Sequence, residues 1–159
     1  MYTHITTQQP FPSTAAVFPE ALALVLHDGN PALLQGPVPL LLDVAQHVRV
    51  VMVDAPRARQ TAIHVVSYVY TLMTRDRIEL VSFQWHPHGV AEIEFPHVHI
   101  GPALIRHDSV VRPGEAHKIH LPTGEVSLAD VVRLAITEFG VVPRRDDWEE
   151  VLRRPDVLV

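Results

Sequence analysis

The chain contains no cysteine among its 159 residues. Disulfide bonds, thiolate nucleophiles and zinc sites built from thiolates are therefore excluded. No stretch approaches the roughly 18 consecutive apolar residues that identify a membrane-spanning helix. The N-terminus also lacks the basic start and the apolar middle of a signal peptide. Together these features predict a cytoplasmic protein that does not cross a membrane.

Charged side chains are also scarce, and the balance between them is negative. Asp, Glu, Lys and Arg make up 19% of the residues, and the formal net charge is -5 with histidine counted as neutral. Strong non-specific binding to nucleic acid requires many Lys and Arg side chains to neutralise phosphates. A nucleic-acid partner therefore stays open as a hypothesis, but the net charge does not support it.

Histidine, in contrast, occurs 11 times, and two His-x-His pairs lie close together in the sequence. The pairs are His86 with His88 and His97 with His99. Residues two apart on a strand point to the same side of a sheet, so each pair can direct two imidazoles at one point. Neutral imidazole nitrogens suit divalent metals such as Zn, Mn, Ni or Fe. The four histidines therefore predict a metal site, to which Glu92 or Glu94 could add an oxygen ligand.

The same side chains also suit chemistry without a metal. Imidazoles transfer protons as general bases and acids, and protonated imidazoles donate hydrogen bonds to phosphate oxygens. Under this hypothesis the catalytic residues are His86, His97 and His99, with Tyr68 as a helper. A third interpretation is structural, because buried histidines are often satisfied by backbone carbonyl groups. The sequence thus leaves open a metal-assisted hydrolase, a metal-free phosphodiesterase and a non-catalytic binding or regulatory module, and it does not decide whether the protein is an enzyme.

The remaining histidines divide into two groups. Four stand alone in the sequence, which is typical of structural residues: His4, His27, His47 and His64. Three others follow the two pairs closely and stay open between a structural and a functional role: His107, His117 and His120.

Patterns of apolar residues predict one α+β domain over residues 17–159, preceded by a flexible polar tail over residues 1–16. A helix is expected over residues 19–27, because this segment starts with proline and is rich in helix-forming residues. The proline-rich segment over residues 31–42 suggests either irregular apolar packing or a second, short helix around residues 40–46. Both helices would precede the strands of the sheet.

The C-terminal third is also expected to be helical. Ser127-Leu-Ala-Asp130 has the form of a capping box, and apolar residues continue at helical spacing up to Gly140. A last short helix is expected to begin near Asp146 or Asp147.

Strands are expected between these helical segments. Two runs dense in β-branched and aromatic residues, from about Thr61 to Trp85, predict a long hairpin around a polar loop. Pairing Met73 with Ile78 puts the tyrosines and tryptophan on one face and leaves a wetter face that leads to the histidines. A third strand is expected over Glu92–Ile100. The predicted fold is therefore α+β, with an antiparallel sheet, a long hairpin and helices packed on one face.

Four motifs occur in a characteristic order: Tyr68-x-Tyr70, Phe83-x-Trp85, Phe95-Pro96-His97-x-His99 and a helix that starts Ser127-Leu-Ala-Asp-Val. In this order they resemble the small TumE-like toxins of bacterial toxin–antitoxin systems, over about residues 64–135. Val98 separates histidines that are consecutive in that family. The resemblance implies a toxin-like protein that acts on RNA and has an antitoxin partner. It extends to His97 and His99 as candidate site residues.

Overall fold

An antiparallel sheet of eight strands dominates the part of the chain that the structure describes. This structure, a computed structural model, describes residues 5–8, 21–55, 58–87, 93–105 and 119–153. The strands are β1 (Ile5–Gln8), β2 (Leu22–Leu26), β3 (Ala32–Leu34), β4 (Leu40–Ala55), β5 (Ala58–Thr74), β6 (Glu79–Trp85), β7 (His97–Ile100) and β8 (Leu121–Pro122). The α-helices among the described residues are α1 (Leu128–Thr137) and α2 (Trp148–Arg153), and two short 3-10 helices lie at His27–Gly29 and Pro102–Leu104. Their order across the sheet is β1-β2-β4-β5-β6-β7-β8, with β3 beside β4. The fold is α+β with an antiparallel sheet, as the sequence predicts.

The N-terminal half departs from the sequence prediction, because both expected helices are strands. Residues 22–26 form β2, and residues 40–46 are the start of the 16-residue strand β4. β2 lies between β1 and β4, so both of its edges are hydrogen-bonded, and its residues Ala23 and Val25 are buried. Cross-strand pairing and burial outweigh helix propensity here, since that propensity is a weak local preference. Residues 5–8, which lie in the predicted tail, form β1 and pair with β2.

The predicted hairpin between β5 and β6 is confirmed, but its predicted register is wrong. Met73 pairs with Glu79 rather than with Ile78. The loop holds three residues instead of four, because the N–H of Thr74 donates to the carbonyl of Ile78 over 2.9 Å. Arg77, the last loop residue, adopts a left-handed conformation with φ 61. Three-residue hairpin loops often end in such a residue.

A β-bulge next to this loop restores the predicted faces. The register shifts between Leu72 and Met73, so Leu72 pairs with Val81 and Leu80 is the extra residue. The loop and the bulge each shift the pairing by one residue, and the total shift of two leaves the side chains of β6 from Val81 onward on their predicted side of the sheet. Leu80, which the predicted pairing places on the wetter face, instead belongs to the buried core cluster.

The apolar face of this hairpin is the main core of the protein. Tyr68, Tyr70 and Leu72 are buried there, and the rings of the two tyrosines stack with centroids 4.7 Å apart. Val131 and Ala135 of α1 belong to the same buried cluster. One face of the central strands is therefore committed to packing, and only the opposite face is available for the histidines.

The C-terminal helices form where the sequence predicts them. The Ser127 hydroxyl accepts the N–H of Asp130 over 3.1 Å, and the Asp130 carboxylate accepts the N–H of Ser127 over 3.1 Å. These two bonds confirm the capping box. Gly140 takes φ 68 after α1, and the following N–H of Val141 donates back to the carbonyl of Ala135. Among the described residues, no helix combines the length and apolar character needed to cross a membrane.

Candidate metal centre

The face opposite the core carries polar side chains where β6 pairs with β7. Gln84 pairs with His97, and Ser82 pairs with His99. Val98, between the two histidines, packs against the buried cluster on the other side of the sheet. The predicted placement of His97 and His99 opposite Val98 is therefore confirmed. β7 is shorter than the predicted strand over residues 92–100 and begins at His97.

A third histidine, His120, reaches this pair from the position directly before β8. Val98 pairs with Leu121, so His120, one residue earlier, lies across from His99. The ring centroids of His99 and His120 are 4.5 Å apart, those of His97 and His120 are 4.9 Å apart, and those of His97 and His99 are 5.0 Å apart. One ligand nitrogen from each of the three rings lies within 4.8 Å of the other two. The three side chains are therefore close enough together to hold a metal ion.

The hydrogen bonding of His97 leaves one of its ring nitrogens prepared for a ligand. Nδ1 lies 2.9 Å from the carbonyl oxygen of Phe95. A carbonyl can only accept, so Nδ1 carries the proton and Nε2 carries a lone pair. Nε2 is buried and has no hydrogen-bond partner among the described residues. An unpaired buried polar atom costs about 1–3 kcal/mol, and a ring whose other nitrogen donates to a carbonyl is the usual form of a metal-binding histidine.

The spacing of the nitrogens is slightly wider than a bound metal requires. Tetrahedral Zn–N bonds of about 2.0–2.1 Å place the ligand nitrogens roughly 3.3 Å from one another. The three nitrogens here lie within 4.8 Å, so side-chain rotations that close the gaps by up to about 1.5 Å would complete the geometry. Three protein ligands leave a fourth tetrahedral position for water or substrate, which is the arrangement of catalytic rather than structural zinc sites.

The ligand group consists of histidines alone within the described ranges, without an acidic residue. The side chain of Glu94 is exposed, and its backbone carbonyl accepts the indole N–H of Trp85 over 3.2 Å. Glu92 and His88, which the sequence proposes as ligands, lie outside the described residues. The predicted pair of His86 and His88 is therefore represented only by His86.

His86 lies beside the three-histidine group. Its ring centroid is 5.3 Å from that of His97. Its Nδ1 is buried, without a hydrogen-bond partner in the described part of the chain. Burial lowers the pKa of His86, and the neighbouring rings of His97 and His120 lower this pKa further. A neutral imidazole is therefore favoured at this position.

The structure does not bring Tyr68, the predicted helper, to the histidines. Tyr68 is on the core face of β5, whereas its neighbour Val69 pairs with Gln84 on the histidine face. The Tyr68 hydroxyl accepts the N–H of Val126 over 2.9 Å, and burial raises the pKa of this hydroxyl. These contacts give the side chain a role in joining the sheet to the segment before α1.

His120 is the candidate ligand whose role the sequence leaves open. A usable signal was present, since Ile119 and Leu121 flank His120 as Val98 and Ile100 flank His99. Such alternation places each histidine on the side of a strand opposite its apolar neighbours. His47, by contrast, is buried away from this group and bonds through Nδ1 to the Ser67 hydroxyl over 2.8 Å.

Comparison with known proteins adds no family to this geometry. No family model matches the chain, and neither a curated protein nor a solved structure matches it. The resemblance to TumE-like toxins therefore stays a proposal, and the function has to be argued from the histidines.

Proposed function

We propose that His97, His99 and His120 bind one divalent metal ion and that the protein is a metal-assisted hydrolase. The observation that carries this proposal is the convergence of two imidazoles from β7 and one from the residue before β8, with ligand nitrogens within 4.8 Å of one another. The buried Nε2 of His97 supports it. A metal ion would satisfy this nitrogen, which has no hydrogen-bond partner among the described residues.

The donor set narrows the class of metal. Three neutral nitrogens favour Zn, Ni or Fe, whereas Mg and Ca prefer oxygen ligands. Mn belongs to the predicted set but fits less well, because it favours carboxylate and water. The bond from His97 Nδ1 to the Phe95 carbonyl also increases the basicity of Nε2. We therefore infer a borderline transition metal, with zinc as the leading candidate.

The same arrangement supports hydrolysis of an anionic substrate. Neutral ligands leave the full positive charge on the metal, which at an open position lowers the pKa of bound water towards 7 and polarises a phosphoryl oxygen. A phosphodiester is the substrate class that this charge suits best. Action on RNA, with an antitoxin-like protein partner, rests in addition on the resemblance of Phe95-Pro96-His97-x-His99 to TumE-like toxins.

We also infer that both helices pack on the sheet face opposite the histidines. The support is that Val131 and Ala135 of α1 share a buried cluster with Tyr68 and Tyr70. This arrangement would reserve the histidine face for a ligand or a partner. A cytoplasmic location stays a prediction that imaging of a tagged protein in cells would check.

One observation favours a second function, a non-catalytic binding or regulatory module. His97 is 0% exposed and His99 is 7% exposed, so two of the three rings are closed to solvent. A buried metal or histidine cluster could hold β7 and β8 together for a partner without turning over a substrate. His120 is only partly buried. If a substrate can reach the metal from the side of His120, the protein can act as a hydrolase, and if it cannot, the binding module is the better proposal.

Metal binding by protein purified without a histidine tag tests the proposal first. Isothermal titration with Zn²⁺ is expected to show one site, and Zn²⁺ at about 100 times Kd should stabilise the fold by about 2.7 kcal/mol. That corresponds to a rise in Tm of about 5–11 °C. His97→Ala and His120→Ala should each weaken Zn²⁺ binding more than the roughly 10–100-fold typical of changes to outer-shell residues. His64→Ala is the matched control, because His64 is an exposed histidine on β5.

Hydrolysis assays then separate the two functions. The zinc-loaded protein should cleave bis(4-nitrophenyl) phosphate or RNA, and His120→Ala should not. Metal binding without any hydrolysis would support the binding module instead. Absence of both metal binding and a Tm shift with Zn²⁺, Ni²⁺, Fe²⁺ and Mn²⁺ would rule out the metal site. Growth arrest on expression, lost in the His97→Ala variant, would support the toxin-like role.

A further inference from the structure

His86 occupies a fixed position at the edge of the three-histidine group. β6 pairs Gln84 with His97, so the continuation of β6 brings His86 into the diagonal position next to His97. The indole N–H of Trp85 donates to the carbonyl of Glu94 over 3.2 Å, which ties this end of β6 to the segment before β7. The position of His86 relative to His97 is thus set by backbone pairing and by one side-chain bond.

Two imidazole nitrogens at this point are buried without hydrogen-bond partners in the described ranges. They are Nδ1 of His86 and Nε2 of His97, and the two rings are in contact with centroids 5.3 Å apart. Buried polar atoms of this kind usually face a water molecule or an ion. The metal proposed above accounts for Nε2 of His97. It does not account for Nδ1 of His86, because His86 is not among the residues whose ligand atoms lie within 4.8 Å of one another.

The exposure of the rings indicates which side of the site receives a ligand. His97 and His99 are buried, whereas His86 and His120 are only partly buried. The side of the group on which His86 and His120 stand is therefore the more exposed one. A molecule that reached the metal from this side would lie next to His86, which can hydrogen-bond without binding the metal.

We propose that Nδ1 of His86 hydrogen-bonds an oxygen atom of the molecule that occupies the open coordination position, a water molecule or a phosphate-type oxyanion. This assignment rests on the proposed metal site and adds to it a residue that binds the ligand but not the metal. Its role is to orient the oxygen at the metal and to favour oxyanions over other ligands.

Cobalt-loaded protein and inorganic phosphate provide the test. Co²⁺ takes the tetrahedral nitrogen site of zinc, and its visible spectrum reports both metal binding and the binding of an anion at the open position. In His86→Ala the Kd for Co²⁺ should stay within about threefold of wild type, while the Kd for phosphate should rise about 10–100-fold, as expected for loss of a hydrogen bond to a charged group. His86→Asn places an amide nitrogen near the position of Nδ1 and should recover most of the affinity. His86→Gln, whose amide reaches further, should not.

The outcomes separate this inference from the proposed function. Wild-type protein that does not bind Co²⁺ overturns both. A Co²⁺ affinity that falls more than about tenfold in His86→Ala makes His86 a metal ligand and overturns the inference alone. Normal Co²⁺ binding with unchanged phosphate affinity in His86→Ala also overturns the inference and leaves the metal site in place.

Discussion

Gly101, directly after β7, is the position where one added methyl group should disturb both the fold and the site. A Cβ at this residue would lie 2.1 Å from the carbonyl oxygen and 2.3 Å from the carbonyl carbon of Glu79. Gly101 has φ -74, which any residue can adopt, so the glycine is required for space and not for backbone freedom. Its N–H donates to the carbonyl of Leu80 over 2.8 Å and anchors the end of β7 to β6.

The loss of stability expected for Gly101→Ala follows from the distance between the added Cβ and the carbonyl oxygen of Glu79. An ordinary contact begins near 3.4 Å, so the 2.1 Å contact has to open by about 1.3 Å, and the obstacle is backbone that cannot rotate away. Overpacking of this kind costs about 1–3 kcal/mol. For a domain of this size the Tm should fall by about 2–12 °C. The same movement displaces His99, two residues earlier, by an amount comparable with the closure that the metal requires, so the Kd for Zn²⁺ should rise about tenfold or more.

Thermal denaturation and zinc titration of the same samples measure the two effects. Gly124→Ala is the matched control, because a Cβ at Gly124 meets nothing within 4 Å. If Gly101→Ala has the Tm and the zinc affinity of Gly124→Ala, the close approach of β7 to Glu79 is not what positions the histidines. A lower Tm with unchanged zinc affinity would keep the packing argument and refute the link between this contact and the site.

Two further predictions concern protonation and helix capping. Burial lowers the pKa of His47 from 6.5, so the unfolded chain binds this proton more readily than the folded protein does, and stability present above pH 6.5 should be lost as the pH falls. His47→Asn keeps a nitrogen near the position of Nδ1 but does not titrate. In urea denaturation its free energy of unfolding should therefore fall less between pH 7.5 and pH 5.5 than that of wild type. An equal fall would assign the pH dependence to other groups. The Ser127 hydroxyl caps α1, and its hydrogen bond to Asp130 is the largest cause of the lowered pKa of that carboxyl. Ser127→Ala removes this hydroxyl. It should cost about 1 kcal/mol, seen as a fall in Tm of about 2–4 °C, and an unchanged Tm would show that α1 does not depend on its cap.

The parts of the fold that the sequence predicts are those that local alternation determines. In β5 and β6 the side chains alternate between aromatic or aliphatic and small polar residues, and this alternation fixes the faces even though the register was wrong by two residues. The capping box at Ser127 is similarly local. Residues 22–26 could not be predicted in this way, because Leu-Ala-Leu-Val-Leu suits a helix and becomes a strand only through pairing with β1 and β4.

The candidate site also has a part that the local sequence predicts and a part that it does not. His97 and His99 are two residues apart on one strand, so their common direction is a local property and the sequence predicts it. His120 joins them through the pairing of Val98 with Leu121, across a strand of two residues that no local pattern defines. For this reason the sequence does not single out His120 as a candidate ligand, since long-range register determines which residue lies beside His99.

The difference between the pair on β7 and His120 also bears on how the site would bind a metal. His97 and His99 are buried on β7 between β6 and β8, and His97 is held further by its bond to the Phe95 carbonyl. His120 is less buried and precedes the short strand β8, so its side chain has more freedom to move. Closing the nitrogens from within 4.8 Å to roughly 3.3 Å is therefore mainly a movement of His120 towards a fixed pair. In the proposed site the pair on β7 would determine where the metal lies, His120 would determine how tightly it is held, and the position left open would face the side on which His86 stands.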